Sequence, residues 1–175
     1  MIALGGCSGS DATTDPTTTA TPTTGPTSPT SPPTTTGPTE PVLPAAARKP
    51  GRSGAEAFVR YYIRLLNYAA ATGDTSRFRE VTRGCSGCDS YANLFGQTYA
   101  AGGSFRGVHW TTTTTFAAPE AHIIAVLTQV KASRMVYTPR QGAKPRRNPA
   151  DHYSLKFRLD RRTRSWDVVS FEDAS

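Results

Sequence analysis

No lysine or arginine occurs in the first 47 residues of this 175-residue chain, and residues 8 to 44 show no apolar periodicity until Val42 and Leu43. That stretch is almost wholly Thr, Pro, Ser, Gly and Ala with a few acids. It cannot bury enough apolar surface to offset its ordering entropy, which excludes a packed domain there. An extended, disordered spacer with polyproline II character is expected, reaching at most about 115 Å at about 3.1 Å per residue. Histidine is scarce too, with His109, His122 and His152 the whole set. Phosphate-binding loops, zinc-binding helices and the nucleophile elbow of hydrolases are missing, so the sequence offers no motif for phosphoryl transfer, metal-assisted hydrolysis or acyl transfer.

Also missing is the front of an export signal. Such a signal needs a basic segment and an apolar run of about 7 to 15 residues, whereas only Met1, Ile2, Ala3 and Leu4 precede Gly5 and Gly6. Yet Leu4, Gly5, Gly6, Cys7, followed at once by the Thr/Pro tract, resembles a bacterial lipobox and its tether. The resemblance implies cleavage before Cys7, a lipid on its thiol, and a protein anchored to the membrane on the extracytoplasmic side. The economical reading places the true start upstream, inside the apolar segment. The expected organisation is a signal remnant over 1–7, a linker over 8–47 that could carry O-linked sugars, and one domain over 48–175.

Charge concentrates in that domain. All 20 Lys and Arg lie from Arg48 onward against 10 of the 13 acids, a surplus of ten positive charges. Such a surplus invites an anionic partner, and outside the membrane the candidates are anionic envelope polymers and lipid headgroups, or another envelope protein. Export rules out nucleic acid. Purely solubilising charge explains the surplus equally well.

The domain reads as helices first. Ser53 and Glu56 are spaced as a capping box, and Ala55, Phe58, Tyr61, Tyr62, Leu65, Leu66 and Ala69 form one apolar stripe at helical spacing up to Gly73. Asp74 is placed to cap a short second helix through Phe78 and Val81, and a third runs from about Asp89 to Gly102 and Gly103. The period then falls to two. Val108, Trp110, Thr112, Thr114 and Phe116 predict a strand; His122 to Tyr137 predicts a long, central one; Tyr153 to Leu159 and Trp166 to Phe171 predict a closing hairpin. The fold class is therefore α+β, with N-terminal helices packed on an antiparallel sheet.

Order and length resemble the cone-shaped, cystatin-like fold of the NTF2-like superfamily. More specifically, Gly54 to Tyr62, Leu66 to Ala69, Thr72 to Asp74, Cys85-Ser86-Gly87-Cys88, Tyr99 to Gly103 and Trp166 resemble actinobacterial lipoproteins that share domain of unknown function 6318. That resemblance implies the curved sheet but no activity, since the superfamily spans enzymes, binding proteins and interaction modules.

Three cysteines is an odd number for an exported chain, but with Cys7 lipidated, Cys85 and Cys88 remain as a pair. A structural disulfide is preferred over a redox motif or a metal site, because no second ligand pair follows and no βαβ unit precedes. Catalysis has little to stand on. Asp151 and His152 are neighbours on a strand, so they point to opposite faces and make a poor acid–base pair. No catalytic residue, metal or cofactor is assigned, and a non-enzymatic binding or scaffolding role in the envelope is expected. The rival is a small-molecule-binding or catalytic pocket of ketosteroid-isomerase-like type, lined by Tyr62, Tyr99, Trp110, His122, Met135 and Tyr153. Ordinary core filling by these residues is the preferred alternative. The basic residues fall into two groups, Arg140, Lys144, Arg146 and Arg147, and then Arg158, Arg161, Arg162 and Arg164, expected at opposite ends of the sheet.

Overall fold

Pro50 and Gly51 launch the longest helix of the domain. A computed structural model describes residues 37–162 and 164–174, with only the backbone of Arg162; Cys7 and most of the Thr/Pro tract lie outside the described residues. A 3-10 turn at Ala45–Arg48 leads into helices α1 (Gly51–Thr72), α2 (Ser76–Glu80) and α3 (Ser86–Ala100). Strands follow as β1 (Ser104–Arg106), β2 (Trp110–Glu120), β3 (Ile123–Ala132), β4 (Met135–Thr138), β5 (Arg146–Asn148), β6 (Asp151–Arg162) and β7 (Ser165–Asp173). All pairings are antiparallel, in a four-stranded sheet ordered β2-β3-β6-β7 and a three-stranded sheet ordered β1-β4-β5. Helices then sheets is the α+β order expected.

The start of α1 differs from expectation in its chemistry. Ser53 and Glu56 form no capping box: the helix begins two residues earlier, and Pro50 at the N-cap makes no side-chain bond. Proline's fixed φ and missing N–H suit a helix start. Gly51 takes φ +77°, a turn that favours glycine. Glu56 is thereby released to accept from the Ala117 backbone N–H at 3.2 Å, tying helix to sheet. At the far end Gly73 closes α1 in the left-handed conformation, and Asp74 accepts from the Ser76 N–H at 3.0 Å. That bond holds the Asp74 carboxyl below its ordinary range.

The strand expected over 122–137 is two strands in different sheets. Ser133 makes the break, accepting from the His109 N–H through its hydroxyl at 2.9 Å while its own N–H donates to His109 O at 3.0 Å. The hydroxyl also donates to Gly107 O. These bonds replace ladder pairing and turn the chain out of the larger sheet. The loop expected between the second and third strands contains β5, which pairs with β4.

Side-chain parity in β2 also differs. Trp110 and Thr112 face inward as expected, but Thr113 is an extra residue between Thr112↔Val130 and Thr114↔Gln129. One inserted residue reverses every later side chain. Phe116 is consequently 59% exposed on the outer face, beside Leu127 at 48%, and Ala117 is buried in its place.

The apolar stripe of α1 lies on the inner face, and twelve of its residues are buried. Tyr62 sits at the centre, its ring 5.0 Å from Phe78 and 5.3 Å from Phe157. The chain packs from Leu43 and Ala47 onward, ahead of the boundary expected at 48, because the C-terminal hairpin clasps this segment. Trp166 donates its indole N–H to Lys49 O at 3.1 Å, and Arg161 reaches Arg48 O at 3.4 Å while lying over the Trp166 ring. Gly54 is required beneath the clasp, since a Cβ there would stand 1.8 Å from Lys49 O.

Candidate functional site: an aromatic cleft

Coverage of the inner sheet face fails at one end. Between α3, the C-terminal part of α1 and the strand ends around Trp110 and Tyr153 lies a cavity of about 430 Å³. That is within the range of small-molecule sites. From the helices it is lined by Leu66, Ser90, Tyr91, Leu94 and Phe95, and from the strands and their connections by Phe105, Val108, Trp110, Met135, Asn148 and Tyr153. Leu94 at 41% exposure marks the opening.

Trp110 is the most firmly positioned of these residues. The Asn67 amide on α1 donates to Trp110 O at 2.9 Å and accepts from its N–H at 2.8 Å. Both backbone groups at the start of β2 are thereby satisfied. The Trp110 ring stacks on Tyr153 at 5.5 Å and meets Tyr91 edge-on at 6.1 Å and 80°. On the other wall Phe105 meets Phe95 edge-on at 5.2 Å and stacks on Tyr137 at 4.7 Å.

The lining carries no histidine, carboxylate, lysine or arginine. Its titratable groups are two phenols. Burial raises the Tyr91 pKa, and Tyr153 is raised by burial first and then by its hydrogen bond and charge contact with Asp151. Both therefore stay neutral at physiological pH. Such a surface can bind and orient a ligand, but it offers no general base near neutrality.

Of the sequence-expected pocket residues, Trp110, Met135 and Tyr153 line the cavity and three do not. Tyr62 is 1% exposed inside the core, where burial pushes its phenol well above the ordinary value and its hydroxyl has no partner among the described residues. Tyr99 turns away to donate to Ala70 O and Ala71 O at 3.0 and 2.7 Å, capping the end of α1. Gly73 must lack a side chain there, since a Cβ would stand 2.5 Å from the Tyr99 ring. His122 is exposed in the two-residue turn between β2 and β3, about 33 Å from Trp110 at about 3.3 Å per residue. Alternation could not tell these cases apart. Asn67, which seats the cleft, was legible only as a polar residue beside an apolar stripe.

Cys85 and Cys88 are disulfide-bonded and at most 1% exposed. Cys85 Sγ accepts from the Cys88 N–H at 3.2 Å at the N-terminus of α3. The bond is built into the core, without the thiol access that exchange needs. Among the described residues no group of three or more metal-ligating side chains forms, and no helix is long and apolar enough to cross a membrane.

Arg140, Lys144, Arg146 and Arg147 are exposed around β5. Arg161 and Arg164 lie at the other end of β6, about 33 Å from its start at about 3.3 Å per residue. Arg161 is committed to the clasp on Arg48 and Trp166 rather than free for a partner, because its guanidinium lies inward. The Arg162 side chain lies outside the described residues. Arg158 is likewise occupied, bonding Glu120 at 3.3 Å and Glu172 at 2.9 Å, with Lys156 on Glu120 at 2.9 Å. These bonds, the one from Lys156 foremost, hold the Glu120 carboxyl below its usual range.

Three solved structures are similar in outline. The intermembrane space region of the chloroplast protein ARC6 is 11% identical, with 71% of this chain and 97% of that one covered at a TM-score of 0.49. An uncharacterised protein with a cystatin-like fold from Caulobacter vibrioides is 12% identical, with 66% and 84% covered at 0.46. A protein from Catenulispora acidiphila is 12% identical, with 69% and 90% covered at 0.42. No curated protein matches the chain. A family model does match, from residue 25 to residue 172, across the described helices, both sheets and the walls of the cleft: the chain belongs to the family of unknown function DUF6318.

Proposed function

We propose that this protein is a non-catalytic binding module, held at the outer side of a membrane by a lipid on Cys7 and spaced from it by the Thr/Pro tract, with the aromatic cleft as its ligand site. The observation that carries the reading is the cleft's composition. Five aromatic rings line about 430 Å³ with only neutral polar groups among them, which favours binding over acid–base chemistry. An NTF2-like cone supports the same reading, since its helices sit in the concavity of a bent sheet. The bulges at Thr113 and between Arg158 and Leu159 supply such bending.

The anchor rests on the Leu4-to-Cys7 pattern and on the composition of residues 8 to 47. Outer basic groups around β5 would add attraction to anionic envelope polymers. The deciding measurement is thermal unfolding of the full chain against a panel of small aromatic and alkyl compounds. Binders of the native state must raise the midpoint, and a midpoint unmoved by every compound at millimolar concentration would sink the pocket reading. Metabolic labelling with an alkyne fatty acid tests the anchor separately. Label and membrane association should both be lost in Cys7→Ser.

A further inference from the structure

We infer that the cleft takes an organic cation, an ammonium group carried on an apolar body; this rests on the binding reading above and adds the charge of the ligand. Ring geometry supplies the first reason. Tyr91 meets Trp110 at 80° and Phe95 meets Phe105 at 88°, so ring faces and edges form corners. Aromatic faces carry the negative part of the ring quadrupole, and boxes of this kind stabilise ammonium groups once water is displaced. No lysine or arginine lines the cavity to oppose this.

The second reason is where the strand register puts carboxylates. Trp110 pairs with Ala132, which pairs with Asp151, so the three share the inner face in one row. Tyr153, a cavity wall, is hydrogen-bonded to Asp151 and lies in the field of Asp173 as well. Asp173 pairs with Leu155 on that same inner face. Asp151 is exposed, so its charge stands at the rim rather than in the core. The opposing charge is Arg146, two residues before the lining residue Asn148 on β5 and on the same side of the strand, about 7 Å along it. Arg147 and Arg106 both pair with Val136 and point to the other face. The rim therefore presents two carboxylates against one guanidinium, in front of an aromatic interior. An anionic ligand would meet the carboxylates first, and a neutral one would leave them unused.

The test uses the full chain and three probes that share one ring: benzyltrimethylammonium, benzyl alcohol and phenylacetate. Affinity is read from tryptophan fluorescence, with Trp110→Phe to assign the signal, since Trp166 is 3% exposed and lies in the clasp. The cation should bind about tenfold tighter than the alcohol. Asp151→Asn keeps an acceptor for Tyr153 and should weaken the cation several-fold while leaving the alcohol within about twofold. Arg146→Gln should tighten the cation. Equal affinity for cation and alcohol, or a preference for phenylacetate, overturns the inference and leaves the pocket standing. Failure of all three probes, with unchanged thermal stability of the variants, overturns the pocket reading itself.

Discussion

The two ends of the inner sheet face use the same residue types to opposite effect. At one end Tyr62, Phe78, Phe157 and Trp166 are at most 3% exposed under α1 and the C-terminal clasp. At the other, Trp110, Tyr153, Met135 and Tyr91 stay partly open around the cavity. What differs is the cover. Helix α1 buries twelve side chains, whereas α3 buries Cys88, Ala92, Phe95 and Thr98 and leaves Leu94 at the opening. An aromatic at inward spacing becomes core or cleft according to the helix above it.

The strongest way to break this comparison is truncation at each end. Phe157→Ala should cost about 3–5 kcal/mol, because a filled core cannot collapse around the loss. Leu94→Ala should cost less than about 1 kcal/mol, since its side chain is already wet. Equal losses in urea denaturation would show that the ends are packed alike. Next comes the hinge of the open end. Asn67→Ala leaves two part-buried backbone groups of Trp110 without partners, at about 2 kcal/mol, and should also weaken any ligand read through Trp110. A stability loss without a binding loss would separate the sheet seat from the cleft.

Replacing Cys85 and Cys88 together by Ser should cost about 2 kcal/mol, the chain-entropy value for so short a loop. Because both sulfurs are buried, a mild reductant should leave the native protein oxidised until denaturant is added, which mass shift after alkylation would read. The smallest effects are in pH. Raised phenols are stabilising only while neutral, so stability is fully present below the ordinary tyrosine pKa near 10 and falls as pH rises beyond it. Ultraviolet titration should show Tyr91 and Tyr153 ionising before Tyr62, whose burial is greatest. The lowered carboxyls of Asp74 and Glu120 act oppositely. Their contribution is present above the ordinary carboxylate range and is lost as pH falls through and below it.

Much of the fold was legible because periodicity is a local signal. The stripe from Ala55 to Ala69, the stop at Gly73 and the closing hairpin follow from spacing and turn chemistry alone. Harder to see was whatever depended on one residue with a distant partner. Thr113 gives no sign in sequence that it will bulge, yet it decides that Phe116 faces out. Ser53 and Glu56 match a cap motif, but Ala117, 61 positions after Glu56, competes for the carboxylate and wins. The site was half visible for the same reason: Trp110, Met135 and Tyr153 share inward parity, but so does Tyr62, and Asp151 reaches the rim only through its register with Ala132 and Trp110.

By itself the sequence determined the helices, the alternating strands, the cysteine pair and the family, because each depends on neighbours along the chain or on motifs of fixed spacing. Tertiary structure alone decided which aromatics became walls of a cavity and which became core. The physical reason is coverage. Burial depends on how far a helix reaches across a sheet, and that distance is set by contacts such as Asn67 with Trp110 and Tyr99 with the end of α1, which join residues 43 and 28 to 29 positions apart.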